Sequence, residues 1–463
     1  MNKAVTLKII FILSFLALLA AGTLYKEALV LPFFIVIIVF SFFFTLKQLA
    51  EMTWIILVIA SFFGSLLSVP GYESLFLYRI LLPVQAILLL LTWKDWSWLN
   101  RRVRVLLLLL IGWLVVGAIT LIWAKYQAAG FRNLYYIIEA IYLIGTGIYY
   151  LDSKKKLERL ALLISGVIIV NIGVGIYEIT TGLHLKKSAL VGAIGNVQFL
   201  PSGTFFNPND LASFLVLFLP FVLVCMRSDT LFGKMIKIVL AVISVYIIVA
   251  TQSRIALVLI VGILFLLVWK KSWKWGVMVL LSIPLVLQLP IMQDITEQVN
   301  QTYTQKDTST DLRLEITNYT WQTIQDTHFI GLGPGNVQME LARYFPSDEQ
   351  NGEGGVSVHN FLLEVLANYG LLSALCLFLF LYFVWQNSYQ LWSKNKAKES
   401  WYMLPLIISI AFPFISFASS TTLEKSYVWI SFGIILAILN HYFKRTESKN
   451  EKNLTSYKQS ISN

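Results

Sequence analysis

Apolar runs of about 20 residues, the length that crosses a hydrocarbon core, tile almost the whole chain. Short connectors rich in lysine and arginine close most of them. The pattern predicts helices near residues 7–22, 28–46, 53–69, 75–93, 105–123, 133–150, 160–180 and 209–226. Six more follow near 236–251, 255–269, 275–290, 360–386, 401–418 and 425–443. The 236–269 region holds two short segments, re-entrant or spanning, so the count is 12–14. The weak dyad alternation of an outer-membrane barrel is absent. The expected fold is an all-α polytopic integral membrane protein.

Two connectors break the rhythm. One, from about Thr180 to Asn207, is rich in glycine and serine; the other, Ile291 to Val358, is 68 residues long. Connectors of that length are functional or disordered. Within the second, Leu312, Ile316, Tyr319 and Thr323 recur at helical spacing behind Asp311, a candidate N-cap, which predicts a small outer subdomain with an amphipathic helix. Four regions result: N-terminal helices 1–180, a core 181–386 that includes the long loop, C-terminal helices 387–443, and a polar tail 444–463 without periodicity, read as disordered.

Composition settles the class. Mean hydropathy is +0.72 and only 13% of the 463 residues are charged, against about 25% in soluble domains. The formal charge of +11 is topology rather than a nucleic-acid footprint. With a cytoplasmic N-terminus, the cytoplasmic connectors hold 25 of the 36 Lys and Arg, which predicts both termini cytoplasmic and the long loop outside. The first segment, led by Lys3 and Lys8 and lacking an evident cleavage site, reads as a retained helix. Cys225 and Cys376 both sit in apolar runs, which argues against disulfides and cysteine metal sites.

The candidate chemistry gathers on the outer side. His359 and Asn360 open the helix after the long loop, and Asn360, Glu364 and Asn368 form a polar stripe at i, i+4 and i+8. An ionisable group that deep faces a cavity or a partner. His359 is a general base, or His359 and Asn360 are simply a helix cap. Arg254 begins an apolar segment and Arg313 lies on the loop helix. Two guanidinium groups could grip a pyrophosphate, unless Arg254 snorkels and Arg313 is solvated. Arg79, Arg132 and Arg343 are weaker candidates of the same kind. Asn207, Pro208, Asn209 and Asp210 are ordinary helix-start chemistry and equally an anion site. The GLGPGN stretch lacks the lysine and hydroxyl of a phosphate-binding loop and reads as a turn. No cytoplasmic segment is large enough for a nucleotide-binding domain.

HNFLLEVLANYG at His359–Gly370, GTFFNPNDLA, Ser253-Arg254, and Arg313 upstream of HFIGLGPGN together resemble the bacterial O-antigen ligase and surface-polysaccharide polymerase superfamily, over roughly residues 200–375. The resemblance implies a glycosyltransferase that inverts the anomeric centre without metal or cofactor. Its donor would be an undecaprenyl-pyrophosphate-linked glycan, and its acceptor another glycan, at the outer face of the cytoplasmic membrane. His359 would activate the acceptor hydroxyl, Arg254 and Arg313 would hold the donor pyrophosphate, and Asn207, Asn209, Asn360 and Glu364 would support them. A flippase and a chain-length regulator are the implied protein partners. Polymerase and ligase share these motifs and differ in acceptor. The high lysine-to-arginine ratio, 25 to 11, points to an AT-rich genome; in a Gram-positive source, without a lipid A core, a capsule or teichuronic-acid-type polymerase would be favoured. The rival from another class is a flippase or secondary transporter, although no clear inverted repeat is visible.

Overall fold

In hydrocarbon no water is available to an open backbone, so runs of Leu, Ile, Val and Phe close their own N–H and C=O groups as helices. The computed structural model describes residues 44–69, 72–93, 95–274, 276–278, 308–345, 355–395, 400–418 and 421–462. The predicted segment 7–22, and most of 28–46 and 275–290, fall outside these.

The first half contributes α1 (Leu46–Ser61), α2 (Leu77–Thr92), α3 (Arg101–Thr120), α4 (Gln127–Tyr150) and α5 (Lys154–Thr181). Then come α6 (Pro208–Cys225), α7 (Leu231–Ala250) and α8 (Arg254–Lys271). The remainder is α9 (Thr308–Asp326), α10 (Asn336–Tyr344), α11 (Phe361–Lys394), α12 (Leu404–Ala418) and α13 (Ser426–Ser462). Seven helices among the described residues are long and apolar enough to cross a membrane. The all-α polytopic class stands.

Two central helices organise the bundle. In α6, 78% of the apolar window is buried, and in α13, 83%, against 28% in α7 and 33% in α3. A helix apolar all round belongs inside. The exposed leucines and valines of α3 and α7, such as Leu108, Val115, Ile238 and Val242, form an apolar outer surface suited to lipid. Helix α13 lies along α4, where Gly147 faces Gly433; a Cβ on Gly147 would stand 2.8 Å from the Gly433 Cα. Small residues let such backbones approach closely.

Hydrogen bonds fix which helix ends meet. At one end, Asn440 Oδ1 accepts from the Asn100 N–H at 2.8 Å. At the other, Lys425 donates to Asp210 at 2.6 Å and the Tyr126 N–H donates to Asn336 Oδ1 at 2.7 Å. This second end, where α3, α5, α7 and α12 finish and α4, α6, α8, α11 and α13 begin, carries the long connectors and is called the loop end below.

Three expectations change. The predicted helix 53–69 stops at Ser61, because Gly64 adopts a left-handed turn (φ +50°); an antiparallel hairpin follows, β1 (Ser68–Val69) with β2 (Tyr72–Phe76). Asp311 lies in the first turn of α9 rather than capping it, since the helix already starts at Thr308. The tail is also not irregular: α13 runs on to Ser462, with no glycine or proline after Gly433 to stop it.

Candidate functional site

The loop end is built around a break in α11. Gly370 takes φ 77° and ψ 178°, which interrupts the helix and frees backbone groups. The Phe329–Gly333 stretch supplies their partners. Ala367 and Asn368 carbonyls accept from the Leu332 and Gly333 N–H groups at 2.9 and 2.8 Å, and the Leu371 N–H donates to Phe329 O at 2.9 Å. Gly331 approaches so closely that a Cβ there would collide with Gly370 N. The GLGPGN stretch is therefore more than a turn: it bonds the loop subdomain to α11. Glycine is required on both sides of that contact.

The subdomain has its own small core. Ile316 and Ile324 of α9, Val337 and Leu341 of α10, Val356 and Val358 before α11, and Ala367 within it are all buried together. The first turns of α11 therefore join two cores, Ala367 facing the subdomain and Phe361 and Val365 the main bundle, and this fixes the segment that ends at His359.

His359 itself is half-buried and has φ 56°, a left-handed backbone that a non-glycine residue rarely adopts. Such strain, of order 1–3 kcal/mol, persists only where surrounding packing imposes it, and it concentrates at functional positions. Val358 behind it and Phe361 ahead are both fully buried, so the backbone between them has little freedom. Asn360 is the helix cap, its Oδ1 accepting from the Leu363 N–H at 3.2 Å.

The polar stripe below is occupied internally. Glu364 accepts from Gln338 Nε2 at 2.7 Å, Gln338 Oε1 accepts from Asn368 Nδ2 at 3.0 Å, and Asn368 Oδ1 accepts from the Val337 N–H at 2.9 Å. Glu364 and Asn368 thus fasten α10 to α11. Gln338 also lines a recess of about 20 Å³, room for little more than one water, with Arg132, Asn133, Thr421 and Glu424. The polar line therefore continues from α11 towards the start of α13.

The two predicted arginines sit on different elements. Arg313 is half-buried on α9, which packs on α11, and its buried Nε makes no hydrogen bond among the described residues. Arg254 is exposed at the first position of α8, after a tight turn in which Gln252 is left-handed (φ 58°). Helix α8 packs on α6, α7 and α12. Both arginines therefore occupy the loop end, but no described contact joins them.

At the start of α6, Asn207 caps the helix, accepting from the Asp210 N–H at 2.9 Å, with Pro208 at the first position and Asn209 half-buried. Asp210 is 1% exposed and paired with Lys425. Lys187, from the 180–207 connector, lays its ammonium against Gly64. Its ammonium is pushed down to about 8 by burial and then by Lys425, with Asp210 opposing. Elsewhere that connector is closed by Glu178. The Glu178 carboxylate accepts from the Ser202 and Gly203 N–H groups at 2.7 and 2.8 Å and from Ser202 Oγ at 3.0 Å, and pairs with His184 Nδ1 at 3.1 Å.

On the flank of the subdomain an open groove of about 450 Å³ is lined by Trp123, Lys125, Thr327, Ile330, Asn336 and Glu340. Burial pushes the Glu340 carboxyl up, but hydrogen bonds from Lys125 and Arg343 outweigh it and leave the group below its ordinary value.

Sequence reasoning missed Lys187, Lys425 and Gln338. The two lysines belong to the 11 basic residues left on the non-cytoplasmic side by the charge rule, and that minority was the available signal. Gln338 carried none.

Comparison with known proteins agrees with the motif reading. Residues 239–378 match a protein family described as O-antigen ligase, a span that runs from α7 through α8, α9 and α10 into α11. The chain is also 26% identical over 396 residues to a Bacillus subtilis (strain 168) protein named "Teichuronic acid biosynthesis protein TuaE", covering 80% of each chain.

Proposed function

We propose, from the premise that this chain is related to the O-antigen ligases and polymerases, that it polymerises undecaprenyl-pyrophosphate-linked glycan repeats into a surface polysaccharide of capsule or teichuronic-acid type. Transfer takes place at the outer face of the cytoplasmic membrane, with both termini cytoplasmic. A multi-pass membrane protein of polysaccharide biosynthesis is the common ground; acceptor, topology and residue roles are this proposal's own.

One observation carries it: the family-matched span ends in a helix whose entry holds a histidine in strained backbone, between a loop subdomain and the bundle. In the proposed reaction His359 takes the proton from the acceptor hydroxyl. The freed oxygen attacks the anomeric carbon opposite the leaving group, the bond from that carbon to the phosphate oxygen breaks, and undecaprenyl pyrophosphate departs with inverted configuration at the sugar. Arg254 and Arg313 meet the charge that grows on the departing pyrophosphate, where fixed cations are most effective. Arginines thereby fill the charge-neutralising part without a metal. Asn360 and Glu364 act indirectly, by holding the turn from which His359 projects.

The relative's name refers to a polymer, which favours polymerase over ligase. The test is reconstitution of the full chain with a labelled lipid-linked repeat. A new glycosidic bond with release of polyprenyl pyrophosphate is expected; movement of the repeat across the bilayer without bond formation would make the protein a transporter instead.

A further inference from the structure

The open groove on the flank of the subdomain, about 450 Å³ in volume, takes no part in the proposed reaction as it stands. One wall is the connector between α3 and α4, with Trp123 and Lys125; the other is the subdomain, with Ile330, Gly331, Asn336 and Glu340. The walls are bonded to each other. Trp123 Nε1 donates to Gly331 O at 2.8 Å, the Tyr126 N–H donates to Asn336 Oδ1 at 2.7 Å, and Lys125 donates to Glu340 at 2.8 Å. A groove shaped in advance by such bonds loses little freedom when it is filled. It lies where the α3 span ends, the level at which a lipid-linked glycan leaves the bilayer.

The lining selects the occupant. Trp123 is 46% exposed and its one polar atom is engaged, so it offers the groove an apolar ring. Lys125 has N–H donors beyond the one that Glu340 takes, and each Glu340 oxygen, holding Lys125 or Arg343, has a second lone pair. Lysine and glutamate cancel in charge, so the groove does not favour an anion. A lipid tail would cover the ring but strip water from the ion pair and return no hydrogen bond. A sugar meets both needs: its C–H face packs on a ring, and two neighbouring hydroxyls bridge an ammonium and a carboxylate. The groove also adjoins the helix that His359 opens. Leu332 on its wall and Gly333 beside it bond to Ala367 and Asn368, and Asn368 follows Phe361 by seven positions, about 10 Å of helix. A di- or trisaccharide spans such a distance. We propose that the groove is an acceptor subsite, holding a sugar a few units away from the hydroxyl at His359, with Trp123 under its ring face and the Lys125–Glu340 pair on two neighbouring hydroxyls. The subsite rests on the glycosyl-transfer reading and adds to it the place where the acceptor chain lies.

The experiment measures KM and kcat for two soluble acceptors, the whole repeat as its methyl glycoside and its terminal acceptor sugar alone. The donor is a labelled lipid-linked repeat capped at its own acceptor hydroxyl, and the full chain is held in lipid nanodiscs. Wild type is expected to use the whole repeat at a KM about tenfold or more below that of the single sugar, the scale of one charge-assisted hydrogen bond. Lys125→Met, Glu340→Gln and Trp123→Leu should each raise the KM of the whole repeat and bring the ratio towards one. Trp123→Phe keeps a ring and loses the bond to Gly331, so it should keep most of the ratio; a fall as large as in Trp123→Leu would reduce Trp123 to a support for Gly331 and overturn its place under the sugar. Glu315→Gln, which removes an exposed charge elsewhere on the subdomain, should keep the ratio. Equal KM for both acceptors in wild type, or an unchanged ratio in the groove variants, overturns the subsite and leaves glycosyl transfer standing. So does transfer to neither acceptor by a wild type that joins uncapped lipid-linked repeats. No transfer even between uncapped repeats would remove the glycosyl-transfer reading and the subsite together.

Discussion

The two long connectors of the loop end both interrupt the run of apolar helices and differ in construction. The 180–207 connector is closed around Glu178, whose carboxylate meets two backbone N–H groups, a serine hydroxyl and a histidine. His184 there has an acceptor against each ring nitrogen, Glu178 on one side and Gln198 O on the other at 2.8 Å. Such a histidine is fully engaged in holding the chain. Residues 308–345 and 355–359 build a small core with α11 and bond to its break, and His359 stands at a strained, half-buried backbone position. A histidine beside a long loop is thus not in itself a sign of catalysis. What separates the two is the backbone: His184 lies in a connector closed around a buried carboxylate, whereas His359 sits in a strained left-handed conformation at the entry to a helix.

Substitution should divide the two regions by kind of effect. The largest change in rate is expected for His359→Ala, a loss of about a hundred- to ten-thousandfold in transfer with the protein still folded, because a positioned base contributes that much. Glu178→Leu should do the reverse. It strands two buried N–H groups and His184 and costs about 3–5 kcal/mol, read as a lowered unfolding temperature in detergent. A large rate loss with unchanged stability in Glu178→Leu would erase the distinction.

Next in size, Arg254→Ala and Arg313→Ala should each reduce turnover by about a hundredfold. Lysine should rescue poorly at either site, lacking the two-pronged contact. Turnover at the wild-type rate in both alanine variants would refute the pyrophosphate role. Smaller still, Gln338→Ala should cost about 1–3 kcal/mol of stability by leaving Glu364 and Asn368 without their shared partner. Its effect on transfer should follow the loosening of α10 and be smaller than that of His359→Ala. Topology adds a check without a rate: Ser309→Cys should react with a membrane-impermeant reagent in intact cells once the wall is permeable, and labelling only after lysis would invert the map.

Much of the bundle was legible because its physics is local. The runs at 209–226 and 401–418 became α6 and α12 within a few residues, since bilayer thickness and backbone bonding decide them. The 53–69 segment overran because hydropathy does not register the left-handed turn at Gly64. The candidate site was legible at His359, Arg313 and Asn360, where a motif marks the residue. Its supports were not. Lys425 reaches Asp210 across 215 positions and Gln338 reaches Glu364 across 26, and no periodicity encodes such pairings. The polar stripe on α11 was visible as a pattern, but that it binds α10 rather than lining a cavity depends on where the GLGPGN loop docks.

That His359 is the base is put to the test by His359→Gln in reconstituted membranes with a labelled lipid-linked repeat, measuring donor binding and bond formation side by side. Glutamine keeps a polar side chain and cannot accept a proton at neutral pH. Donor binding at the wild-type level with transfer reduced about a hundredfold or more is the expected result. Transfer close to the wild-type rate would contradict the claim and leave His359 as the structural entry to α11.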